Sequence, residues 1–212
     1  MIRRRYLRNK NKINVPTPDC YYDFSKGSND DENRETIKDY SGNGNDAVAH
    51  NFGWNEEGSG YKDGALYFDG VDDYIECTYQ GGFSTVFLLD NLSKGEYDYS
   101  QIEPYKGSFN LYRQYNQQNY ILQNTNGISY INGIKGTAMG QYMSRKKLLV
   151  TVVNSTNDRN KFVIGTDFNH QFLSKMTLYK FLGFKEALTE EQIQAVIKKY
   201  NLLDGVDEIE VS

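Results

Sequence analysis

The chain has 212 residues, of which 14% are aromatic, with 18 Tyr and 11 Phe against 3 Pro; this is enough for one well-filled core and favours strands over helical bundles. Apolar runs such as Leu148 to Val153 exclude an intrinsically disordered chain, and no run approaches the ~20 residues of a membrane span, so no membrane insertion is expected. Six of the 24 basic residues fall in the first twelve positions, which leaves 18 basic against 28 acidic side chains in the remainder, and that acidic balance argues against nucleic-acid binding by the folded domain.

Taken in order, residues 1–18 form a basic N-terminal arm, with Arg3, Arg4, Arg5 and Arg8 as the residues expected to anchor it to an acidic partner in a protein assembly. A solvated tail is the competing reading. No apolar stretch follows these charges, so no secretory signal is expected. Pro16 and Pro18 stiffen the exit toward a first strand, Asp19 to Phe24. Residues 25–36 read as a long polar loop, and Ser41 to Asp46, SGNGND, as a compact turn without the spacing of a phosphate-binding loop. Cys20 and Cys77 are too few for a disulfide framework and are expected as buried free thiols.

Gly64 to Tyr74, GALYFDGVDDY, predicts a strand, a tight turn carrying Asp69, Asp72 and Asp73, and a second strand. Further strands are expected over 83–89, 108–114, 119–123, 128–132, 147–153, 161–164 and 176–184. Alternation in 108–114 sets Asn110, Tyr112 and Gln114 on one face, and these, with Tyr120, are candidate ligand-binding residues: tyrosine planes for stacking and amides for directed hydrogen bonds to hydroxyls. Tyrosines that only cover a sheet are the alternative. Thr189 with Gln192 forms a capping box ahead of one amphipathic helix, expected against the edge of the sandwich. Residues 206–212 read as an acidic C-terminal tail.

Tyr-Asp-Phe at 22–24, DYSGNGNDA at 39–47, Trp54, GALYFDGVDDYIE at 64–76 and LTEEQI at 188–193 together resemble the concanavalin A-like lectin/glucanase superfamily, closest to its laminin-G-like, pentraxin-like branch. The resemblance implies an all-β fold over residues 19–205: a two-sheet antiparallel jelly-roll sandwich with one short C-terminal helix and ligands on a concave sheet or its rim. It also implies a calcium ion, for which Asp39, Asp46, Asp72 and Asp73, with Asp69, offer hard oxygen ligands; capping of backbone amides is the competing role.

No enzymatic activity is expected. The superfamily's ExDxxE strand pattern is absent, Glu96-Asp98 and Glu208-Glu210 being the nearest pairs, and His50 and His170 stand without ligand spacing. Two functions remain: a structural or adhesion module on an extracellular particle such as a phage virion, anchored by the arm, or a carbohydrate-binding module of a bacterial surface protein. Either places the chain on a virion or extracellular surface, with a glycan as a further partner.

Overall fold

The computed structural model describes residues 13–55, 57–80, 82–91, 102–104, 109–113, 120–124, 127–135, 147–154, 161–166, 170 and 173–207. The strands in chain order are β1 (Cys20–Asp23), β2 (Thr36–Ile37), β3 (Ala47–His50), β4 (Gly60–Lys62), β5 (Ala65–Asp69), β6 (Tyr74–Gln80), β7 (Ser84–Asn91) and β8 (Ile102–Pro104). They continue with β9 (Phe109–Arg113), β10 (Tyr120–Asn124), β11 (Gly127–Ile131), β12 (Ile134–Lys135), β13 (Lys147–Asn154), β14 (Lys161–Ile164) and β15 (Lys175–Phe184), and the chain closes with helix α1 (Glu190–Lys199).

These strands make a two-sheet antiparallel sandwich with one short C-terminal helix. The first sheet runs β12, β11, β13, β7, β15, β5, β4, and the second β2, β3, β6, β14, β8, with β9 and β10 as a separate hairpin. Strand β15 is long enough to hold two partners end to end on one edge: β5 pairs with residues 175–178 and β1 with residues 180–183. Between them, at Leu178 and Lys180, the register with β7 shifts, the local twist a bulge introduces.

Period-two alternation fills the space between the sheets. In β6, Ile75, Cys77 and Tyr79 point into the core while Glu76, Thr78 and Gln80 are exposed. They meet Phe68, Phe87, Leu89, Val150, Val152 and Phe181 of the other sheet. Cys20 and Cys77 are free and buried there, and burial pushes the Cys77 thiol up to about 12.

Strand β7 departs from alternation, since every residue from Ser84 to Leu89 is buried. Such a strand must be covered on both faces. Val86 and Leu88 pack with Leu149, Leu182 and Phe184 under Ile193, Val196 and Ile197 of α1. The helix therefore lies across the outer face of the first sheet, where the sequence placed it at the sandwich edge. Its capping box is as expected: Thr189 Oγ1 accepts from Gln192 N at 3.3 Å, and Gln192 Oε1 accepts from Thr189 N at 2.9 Å. Beyond it Val206 packs on the same cluster and Asp207 N donates to Lys147 O at 3.0 Å. Among the described residues no helix is long and apolar enough to cross a membrane.

Candidate functional site

The turn at 41–46 serves the fold. Ser41 Oγ, Asn43 Nδ2 and Asn45 Nδ2 all donate to Asp19 O, at 3.0, 3.0 and 2.8 Å. Asp39, 5% exposed, anchors it from inside: Oδ1 accepts from Tyr21 N and Ser41 N, and Oδ2 from Ser41 Oγ and Asn45 N. Burial opposes its charge, but hydrogen bonds from Tyr21, Ser41 and Asn45 outweigh that and hold the carboxyl below its ordinary value. Four donors fill the roughly four lone-pair sites of a carboxylate, so Asp39 has none left for a cation.

The register also separates the expected calcium ligands. Asp46 and Asp73 lie beyond opposite ends of the β3–β6 ladder, which runs from Ala47 opposite Cys77 to His50 opposite Tyr74, a separation on the order of 16 Å at ~3.3 Å per residue. Asp39 stays with Asp46, whose Oδ1 accepts its N–H at 2.7 Å. Of the five expected residues the structure brings three together, Asp69, Asp72 and Asp73, each offering an oxygen within 4.8 Å of the others. Asp73 is 1% exposed and accepts from Ser59 Oγ at 2.9 Å and Asp69 N at 2.8 Å. Burial, reinforced by the Asp69 charge, pushes its carboxyl up to about 7 despite those bonds. Beside this turn, Tyr74 lies between His50, stacked at 4.5 Å, and His170 at 4.4 Å, on the face of the second sheet that α1 does not cover.

Two clefts, of about 350 and 490 Å³, open on either side of a common wall made by Phe24, Gly27, Ser28 and Tyr61. Local sequence builds that wall. Asp23 caps a single 3-10 turn over Phe24–Lys26, its Oδ1 accepting from Ser25 N and Ser25 Oγ. Gly27 then lets the Tyr61 ring lie directly on the backbone, since a Cβ there would sit 2.0 Å from Tyr61 Cε1. Asn29 clamps loop to strand, its Nδ2 donating to Tyr61 O at 3.0 Å and its Oδ1 accepting from Tyr61 N at 2.7 Å.

The second cleft is walled by Trp54, the single tryptophan of the chain. It is half-buried, with its ring 5.1 Å from Phe52 and 5.7 Å from Tyr61. Its backbone sits at φ 51°, a left-handed conformation that costs a bulky residue about 1–2 kcal/mol. A strained tryptophan at the mouth of a cleft points to a use beyond packing. In the first cleft Tyr40 is 39% exposed with Lys26 Nζ 3.9 Å above its ring. Aromatic faces and hydrogen-bonding side chains here lie on loops fixed by the sandwich.

Sequence reasoning missed these clefts, because the 25–36 stretch is only polar when taken alone. Trp54 was the one available signal. The expected binding set on β9 and β10 is placed in backbone only: Asn110 pairs with Gln123, Tyr112 with Ile121 and Tyr120 with Arg113, so Tyr112 and Tyr120 are not cross-strand partners. The side chains of Asn110, Tyr112 and Tyr120 and the whole of Gln114 lie outside the described residues, as do Arg3, Arg4, Arg5 and Arg8. The virion and arm-anchored assembly reading gains no support.

No protein-family model matches the sequence, and no curated protein does. Solved structures are similar in fold. Trypanosoma rangeli sialidase in complex with sialic acid matches 89% of this chain at 13% identity and a TM-score of 0.56, over 34% of its own chain. A mutant of that sialidase displaying trans-sialidase activity matches 91% of this chain at 13% identity and a TM-score of 0.57, over 35% of its own. This chain thus spans about a third of the length of those proteins. The expectation of a chain without enzymatic activity is corrected by these matches, because the structures it resembles are enzymes.

Proposed function

We propose that the chain is a carbohydrate-binding sandwich of the concanavalin A-like kind, acting outside cells, and that it takes saccharide in the paired clefts around Gly27. The observation that carries this is Trp54, held in a left-handed backbone conformation beside Tyr61 at the cleft mouth. A sugar ring presents an apolar face of C–H groups that an indole or phenol plane covers, and hydroxyls that need directed partners. Asn55, Ser28 and Asp30 line the same cleft and supply such partners. The fold likeness to a sialidase solved with sialic acid supports a glycan as the ligand class.

A glycan microarray probed with the wild-type chain and Trp54→Ala tests this. Wild type binds a defined subset of glycans, and the variant loses at least about tenfold in affinity, the ~1.4 kcal/mol that loss of one stacking plane removes. Equal binding by both, or binding by neither, contradicts the proposal.

A divalent cation held by Asp69, Asp72 and Asp73 is a second element, favoured by the convergence of their oxygens within 4.8 Å. Calcium takes six to eight oxygens, so water and carbonyls complete the shell. Millimolar calcium then raises Tm by several degrees through mass action. Asp72→Asn abolishes the rise; an unchanged Tm on adding calcium to wild type refutes the site.

A further inference from the structure

We infer that Arg34 makes the first cleft selective for saccharides that carry a carboxylate, an inference that rests on the glycan reading of the same site. Arg34 stands between the turn at 31–33 and β2, its backbone N–H donating to Asp31 O at 3.1 Å. Its side chain lines the cleft with the guanidinium carbon 5.9 Å from the Trp54 ring centroid. The indole orients that plane. Nε is buried, and among the described residues it meets no hydrogen-bond acceptor and no carboxylate pairs with the guanidinium. A buried N–H without a partner is costly in a native fold and calls for an acceptor that the described residues do not supply.

The rest of the cleft has the same polarity of need. Lys26 and Lys38 line it, and among the described residues neither has a carboxylate within ion-pair distance. The cleft's own acids serve their loops. Asp23 accepts from Tyr21 Oη at 2.9 Å and from Ser25, and lies 4.0 Å from Lys180; Asp31 accepts from Asn33 N at 2.8 Å; Asp46 accepts from Asp39 N at 2.7 Å. The cleft therefore carries both signs of charge, and the group in it that lacks a partner is the Arg34 guanidinium, with Lys26 and Lys38 beside it and the exposed ring of Tyr40 in the same lining. A planar carboxylate suits a guanidinium fork, since two parallel N–H···O bonds fix orientation as well as charge. A sugar acid meets both requirements, its ring on the aromatic plane and its carboxylate at Arg34.

Trp54, the single tryptophan, walls the neighbouring cleft and lies 5.9 Å from the Arg34 guanidinium carbon, so its fluorescence reports on ligand at Arg34. The full chain is titrated with two matched pairs, trigalacturonic acid against its methyl ester and sialyllactose against lactose, with sodium acetate as a plain anion. The acidic member of one pair shifts the emission at least about tenfold more tightly than its neutral partner. Arg34→Gln removes that preference, and Arg34→Lys keeps part of it, in line with a charge-assisted bond. Near-UV circular dichroism establishes that each variant is folded. Equal binding of neutral and acidic members, unchanged in Arg34→Gln, overturns the role of Arg34 and leaves the glycan reading standing. Response to acetate alone overturns the saccharide class, and response to none of the five overturns both.

Discussion

At the scale of single residues, Gly27 carries the shape of the clefts and Asp39 the turn behind them. Gly27 has an ordinary backbone conformation, so its requirement is close approach rather than φ. Gly27→Ala forces the Tyr61 ring off its seat, and the expected cost is about 1–3 kcal/mol in urea unfolding, with weaker glycan binding. Unchanged stability would mean that the wall yields freely. Asp39 works through its four accepted hydrogen bonds, and its folded carboxyl lies below the ordinary value of 3.8. A lowered folded value gives stability that is fully present above the unfolded value and is lost as pH falls through the folded one. Wild type therefore loses stability below pH about 4. Asp39→Asn loses on the order of 1–3 kcal/mol at neutral pH and flattens the acid limb, which acid titration by circular dichroism reads directly.

At the scale of elements, α1 and β7 explain each other. A helix of ten residues is marginal alone, and β7 exposes Val86 and Leu88 unless something covers them. Thr189→Ala removes half of the capping box, so a thermal melt is expected to report a loss of about 1 kcal/mol without change of fold. Ile193, fully buried in that interface, tolerates far less: Ile193→Asp places an unpaired charge against Leu182 and Phe184 and prevents folding. Folded Ile193→Asp at wild-type stability would refute the helix position. The sequence made the helix legible through Thr189 and Gln192, and made β6 and β15 legible through alternation and length. It hid β3 and β4, since Ala47–His50 has weak strand propensity and Gly60–Lys62 is too short to alternate. It also hid the helix position, because an apolar run such as Val86–Leu89 of β7 is equally a strand between two sheets and a strand under a helix.

At the scale of the whole molecule, the sandwich decides which surfaces a ligand can reach. The core lies between the sheets, α1 closes the outer face of the first sheet, and the loops at 23–40 and 54–65 form the clefts at the rim. The candidate site was legible only in part for the same reason. Its lining comes from segments about 30 residues apart, joined by the Asn29–Tyr61 hydrogen bonds and by the cover of Arg34 on Trp54, and neither pairing leaves a local pattern. Residues such as Asp69, Asp72 and Asp73, by contrast, are neighbours in sequence and so could be picked out from it.

The most direct test of a glycan site at these clefts is a two-dimensional amide NMR titration of the full chain with the strongest microarray ligand, following the single indole N–H of Trp54. The account predicts that this resonance and the amides of residues 24–40 and 54–65 shift together and saturate with one affinity. Shifts confined to the β9–β10 hairpin or to the open face around Tyr74, with the Trp54 indole unmoved, would contradict it.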